Sequence, residues 1–317
     1  MAGEGNILIT DESALHALLH ADWANTIESS MAKINPLAAC ASTLEGLRAF
    51  NVHHPLYGPP PIVLLVARES DKRFARDVTS RYTQAELPPN SFFELRQGLF
   101  MATPELVFVR MASQLTEVQL AEVGMNLCGR YCIDEATKQV LDRSQFITTP
   151  DKLRAYAASA SRMRGSSKAR TALKLVLPNS GSPYETKLKL LFCHPVGRGG
   201  FGLPFTAMNY DVSAGRLERI MAQSFYSIDL VNELMQFGVE YDGGDAHPDA
   251  SEDKRRRNEL ATLGWRVFPI DKEILHDPEA TIRAAEQIAK QMHVRLRRSV
   301  NWEKKYLRLR AELNLPI

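Results

Sequence analysis

The sequence has no apolar run near the ~20 residues that a membrane-spanning helix needs. Its longest good candidate, Ile62 to Ala67, is strand-sized. It has only four cysteines in 317 residues, too few for a disulfide framework, so a reducing cytoplasm is the simple expectation. Cys128 and Cys132 are spaced C-x3-C, but no second Cys/His pair at finger spacing follows. Buried thiols are expected there rather than zinc. The net charge is only +2, so bulk electrostatics do not advertise nucleic acid. The N-terminus, MAGEGNILITDE, lacks a basic stretch followed by an apolar one, so no secretory signal is expected. Internal repeats and low-complexity tracts are absent too.

What is there is an ordinary soluble composition, long enough for two domains. Residues 6 to 20 read as a short strand, then a helix capped by Asp11 or Ser13. His16 and His20 lie one turn apart on it, but with no acid between them they read as a solvated or core-edge face. Ile62 to Arg68 reads as a buried strand. SFFELRQGLFMATPELVFVRMA reads as a strand, a turn at Gly98 and a helix entered at Pro104 behind Thr103. Arg154, Arg162, Arg164, Lys168, Arg170 and Lys174 then crowd a short span. Such a run is either a solvated face or a track for a phosphate backbone; Arg164, Lys168 and Arg170 are its candidate nucleic-acid contacts. Leu177-Pro178-Asn179-Ser180-Gly181 is turn-rich, and it divides an N-terminal α+β part, 1–178, from a second part, 179–317.

The second part carries the candidate chemistry. Ser182-Pro183-Tyr184-Glu185 opens a helix with the pattern of a capping box. GRGGFG, residues 197–202, fits G-x-G-x-x-G, but a helix precedes it and a strand follows it. That is the wrong order for a dinucleotide site, so a flexible loop is expected and no nucleotide cofactor. Ser227 to Ile270 reads as strand, strand, acidic turn, charged helix, strand. Asp229 is on the first strand, Glu240 and Asp242 close the second, and His247 follows in the turn. Residues 278 to 310 read as largely helical, with a basic tail from Arg295 through Arg310 that could dock another subunit.

Two or three carboxylates can hold a magnesium ion, which supplies both hydroxide and charge neutralisation for phosphodiester hydrolysis. Glu185, Asp229 and Glu240 are the acids to bring together around Mg2+ or Mn2+, with His247 placed to move a proton or contact phosphate. Each has a plainer reading. Glu185 could be the reciprocal cap of its helix, Glu240-Tyr241-Asp242-Gly243 a hairpin end, His247 a turn residue and Trp265 part of the core.

In SPYETKLKLL, YSIDLV, GVEYDGGDAH, DKRRRNEL and GWRVF the chain resembles the restriction-endonuclease-like, PD-(D/E)xK, superfamily. The similarity is to the very-short-patch-repair endonucleases and the small DUF559 domains. The resemblance covers roughly residues 180 to 272. It implies a mixed sheet flanked by helices and a site of Glu185, Asp229, Glu240, Asp242 and His247. It also implies a charged helix whose Arg256 touches phosphate or pairs with an acid. Glu240-Tyr241-Asp242 lacks the lysine of the general motif, which leaves the base unassigned. The upstream half resembles, more loosely, actinobacterial AbiEi-type antitoxin proteins. The expectation is therefore an α/β (α+β) protein acting as a metal-dependent DNA endonuclease or nickase, in phage defence or repair. The alternative is a non-catalytic, antitoxin-like regulator with a degenerate nuclease domain. The partners implied are nucleic acid, and a second copy or a toxin or antitoxin.

Overall fold

A computed structural model of the chain describes residues 6–20, 30–33, 35–40, 47, 51, 54–134, 137–143, 145–243 and 250–317. His247 therefore lies outside the described residues. The chain divides into two compact units: Met1–Leu127 with Tyr131–Lys174, and Cys128–Arg130 with Leu175–Ile317. The division falls just before the turn-rich stretch. The second unit also draws in Cys128–Arg130, because Asn179 N donates to Cys128 O (3.1 Å) and Arg130 N to Ser180 O (2.8 Å).

The first unit is built from β1 (Ile7–Ile9), α1 (Asp11–Leu19), β2 (Ser30–Met31), β3 (Ile62–Val66), β4 (Val78–Tyr82), β5 (Phe92–Arg96), β6 (Leu99–Ala102), α2 (Pro104–Met111), α3 (Glu117–Leu127), β7 (Tyr131–Ile133), β8 (Val140–Asp142), α4 (Pro150–Ser159) and α5 (Ser166–Ala172). Its six-stranded sheet has the order β2-β5-β6-β1-β3-β4, and β7 and β8 form a separate hairpin. β1, β3 and β6 are buried along their whole length, which explains their continuous apolar runs. The cap of α1 is Thr10, not Asp11 or Ser13. Asp11 is instead a buried ionic centre. Arg110 grips it with Nε to Oδ1 (2.6 Å) and Nη2 to Oδ2 (2.9 Å), and Arg81 adds Nη1 to Oδ2 (2.7 Å). Ser13 Oγ accepts from Val63 N (3.0 Å) and so ties α1 to the sheet. His16 is structural, bonded through Nδ1 to Leu56 O (3.0 Å). Cys128 and Cys132 are buried thiols outside any disulfide.

The second unit comprises α6 (Pro183–Cys193), β9 (Ala207–Ser213), β10 (Phe225–Asn232), β11 (Phe237–Asp242), α7 (Ala250–Thr262), β12 (Arg266–Asp271), α8 (Lys272–His276), α9 (Pro278–Gln291) and α10 (Trp302–Glu312). Its sheet has the order β12-β11-β10-β9. β9, β10 and β11 form an antiparallel meander, and β12 runs parallel to β11. A parallel neighbour requires a crossover, and α7 is that crossover. Alternation in β10 sends Tyr226 and Ile228 into a core with Val212, Leu260 and Trp265. Trp265 is thus a packing residue.

Gly238 leaves β11 room beside β10, since a Cβ there would lie 2.5 Å from Ile228 Cγ2. Two positions of the glycine run at 197–202 are closely packed. A Cβ on Gly199, whose φ is +99°, would lie 2.4 Å from Lys305 O, and one on Gly200 would lie 2.1 Å from His194 O. The glycines are there so that backbones can touch. Part of the basic tail is also spent on structure. Arg310 is fully buried and donates to Leu275 O (3.0 Å), His276 O (2.8 Å), Pro316 O (2.6 Å), Thr281 Oγ1 (3.1 Å) and Tyr306 Oη (3.0 Å). Arg298 lies 4.5 Å over the Trp302 ring and pairs with Glu286 (2.8 Å).

Candidate functional site

The β10–β11 ladder runs from Asn232↔Phe237 to Leu230↔Val239 and stops there. Asp229 and Glu240 are the first residues past its end. Tyr241 N donates to Asp229 Oδ2 (2.7 Å) where the ladder would have continued. β11 itself goes on, paired to β12 as far as Asp242↔Asp271. Two neighbouring strands therefore part company at the point where each carries an acid.

The third acid arrives on α6. Ser182 caps this helix by accepting from Glu185 N (3.1 Å), and Pro183 fills its first turn, where a missing N–H costs nothing. The Glu185 carboxylate does not close the capping box on Ser182. Its Oε2 takes Gly181 N (2.7 Å) and Asn209 Nδ2 (2.6 Å). The plain reading, a helix cap, accounts for the first bond only. Asn209 was not singled out from sequence. It is in β9 with a positive φ of 45°, a left-handed conformation that asparagine tolerates better than most residues. The same amide nitrogen also donates to Asn179 O (2.7 Å). A polar residue in the middle of AMNYDVS was its only signal. Strain of this kind collects where a side chain must be aimed.

Glu185 and Glu240 are both within electrostatic reach of Asp229. Burial is the main cause that raises the Asp229 pKa, to about 8. The negative charge of Glu185 comes next, Glu240 adds to it, and the Tyr241 N–H and Arg256 oppose without cancelling it. Glu185 is also raised, again chiefly by burial, against the pull of Gly181, Asn209, Ser182 and Arg130. At neutral pH Asp229 thus keeps a proton, held by burial and by the neighbouring acids.

Glu240 is paired with Arg256 of α7, whose Nη2 also donates to Ser227 O. Asp229, Glu240, Asp242, Arg255, Arg256 and Arg257 line a cleft of about 470 Å³. A second hollow, of about 510 Å³, lies wholly in the first unit among Pro88, Pro89, Phe93 and Tyr156. It is mainly apolar and holds none of these acids.

Hard carboxylate oxygens in this setting suit a divalent ion of the magnesium type. As the side chains stand, no group of three His, Cys, Asp or Glu among the described residues is arranged to hold one. The reason is visible in the bonds: Glu240 is tied to Arg256, and Glu185 Oε2 to Gly181 and Asn209. Arg164, Lys168 and Arg170 belong to the first unit. All three are exposed, but Lys168 Nζ is spent on Leu115 O (2.8 Å). Sequence reasoning also missed Tyr184, which stacks on Tyr241 with centroids 4.9 Å and planes 15° apart. That stack fixes α6 against the end of β11.

Compared with known protein families, curated proteins and solved structures, the chain matches none. No described helix is long and apolar enough to cross a membrane.

Proposed function

We propose that the second unit is a metal-dependent phosphodiesterase acting on nucleic acid, a DNA endonuclease or nickase of restriction-endonuclease-like type. The observation that carries this reading is the meeting of Glu185, Asp229 and Glu240, brought from three elements to the open end of one hairpin, where the other two raise the pKa of Asp229. A buried cluster of acids is costly without a cation. The mixed sheet flanked by helices agrees in kind with what the sequence resemblance implies.

Asp229 and Glu240 would hold the ion, with Glu185 completing the set from α6. Bound there, Mg2+ or Mn2+ would supply charge neutralisation at phosphorus and a water of lowered pKa. Asn209 and Gly181 fix the Glu185 carboxylate before substrate arrives. Arg255 and Arg257, exposed on α7 at the cleft, meet the charge of the diester backbone. Asp242 lies at the mouth of the same cleft. His247 keeps the role of proton carrier that its sequence position suggests.

The test is nicking of supercoiled DNA, and cleavage of single-stranded DNA and RNA, with Mg2+ and with Mn2+. Cleavage is expected from the wild type and absent from Asp229→Ala and Glu240→Ala. If no form is cut with either metal, the hydrolase reading falls. The ion pair between Glu240 and Arg256 favours a second reading, a non-catalytic regulator that binds nucleic acid or a toxin or antitoxin partner through this cleft. Binding without cutting, unchanged in Asp229→Ala, would establish it.

A further inference from the structure

Arg256 stands where the positive charge of an ion would be needed, and its contacts are lopsided. Both of its bonds to the described residues run through one nitrogen, Nη2, to Glu240 and to Ser227 O. Nε and Nη1 make none. Its side chain keeps 32% of its exposure and that of Glu240 keeps 21%, and both line the cleft beside Asp229. Both two-pronged edges of a guanidinium include Nη2, so a phosphate can take the bidentate grip that arginine favours only when Nη2 lets go of Glu240.

We propose that Arg256 is an exchangeable counter-ion: it neutralises Glu240 while the cleft is empty, and it releases that carboxylate to the cation when a phosphodiester takes the guanidinium. The proposal rests on the hydrolase reading and names what admits the metal. Arginine beside a carboxylate opposes a divalent cation in two ways. It occupies an oxygen lone pair, and it repels the ion at contact distance. A phosphate drawn into the cleft removes both effects and adds a negative charge. Metal and substrate then help each other bind by the same factor, since the coupling between two ligands is reciprocal. The device would keep a nuclease from loading metal without substrate. It also explains why the three acids fail to form a ligand set as the side chains stand.

The experiment titrates Mn2+ into the full chain by electron paramagnetic resonance, without turnover as the readout. Arg256→Gln is expected to bind Mn2+ at least about tenfold more tightly than wild type in the absence of nucleic acid. A short phosphorothioate oligonucleotide is expected to tighten Mn2+ binding to wild type, and to do so far less in Arg256→Gln. Its uncharged methylphosphonate counterpart should leave wild type unchanged. Arg256→Lys, which keeps the charge and loses the planar fork, should fall between the two. Arg256→Gln affinity equal to or weaker than wild type overturns the proposal. If that variant does not fold, an oligonucleotide that leaves wild-type Mn2+ affinity unchanged overturns it instead. Tighter metal binding by Arg256→Gln in a protein that cuts nothing would leave the exchange standing and remove the hydrolase reading. Cleavage by wild type with no change in metal affinity would do the reverse.

Discussion

Asp11 in the first unit and Asp229 in the second are both aspartates drawn away from water, and their surroundings drive them in opposite directions. Burial alone would raise both. At Asp11, Arg110 and Arg81 outweigh burial and hold the carboxyl below its ordinary range. At Asp229 the near charges are Glu185 and Glu240, and the pKa climbs to about 8. The first arrangement is closed: every charge has its partner, and the cluster joins α1, α2 and β4. The second is open: Arg256 pairs with Glu240 and only partly offsets the acids around Asp229, and the group lies on a cleft. A buried acid among cations stays ionised and holds a fold together, whereas a buried acid among acids keeps its proton.

That contrast can be broken by substitution. The largest effect should come from Asp229→Ala, which is expected to lower metal-dependent cleavage by at least about a hundredfold while the protein stays folded. Gel assays alongside circular dichroism check both halves, and a drop in activity that merely tracks unfolding would erase the difference between the two aspartates. Asp11→Asn is the mirror image. It strands two arginines and should cost about 3 kcal/mol of stability, read from urea melts, with cleavage intact in the surviving folded fraction.

The pH dependences should also run in opposite senses. Asp11 has a lowered folded pKa, so its contribution is present above the unfolded value of 3.8 and is lost as the pH falls through the folded one. Asp229 has a raised folded pKa, so the proton it keeps costs stability progressively as the pH climbs from 3.8 towards about 8. Asp229→Asn should therefore stabilise the protein by about 1 to 2 kcal/mol at pH 8, discounted for partial exposure, and by nearly nothing at pH 4. Melting curves at the two pH values test this, and equal shifts at both would remove the open-site description. The smallest effect is expected from Asn209→Gly, which keeps the positive φ and deletes the amide. Cleavage should fall about tenfold with little loss of stability. A rise in the Mn2+ concentration needed for half-maximal rate would mark Glu185 as the residue it positions.

Much of this site was legible along the chain because its parts carry local signals. Ser182 and Pro183 announce a helix start, so Glu185 falls in the first turn. Ile228 and Leu230 flank Asp229 with apolar residues and turn it to the other face of a strand. Other features left no such trace. Arg310 reads as one more charge in a basic tail, yet it is buried against carbonyls from α8. The glycines of 197–202 read as a loose loop, and the tightness at Gly199 exists only because α10 packs against it. Asn209 is one polar letter in a strand until α6 brings Glu185 to its amide.

The sequence by itself determined which residues could carry the chemistry, and the order of helix, strands and acids that presents them, because capping, alternation and turn residues act over a few positions. Only the tertiary structure decided how those acids are charged and to what they are bound. Whether Glu240 meets a cation or Arg256, and whether Asp229 keeps a proton, depends on where the β10–β11 ladder ends and which face α6 and α7 present to it. Those are long-range outcomes of packing, and the energy of a charge is set by neighbours that the chain brings together only when it folds.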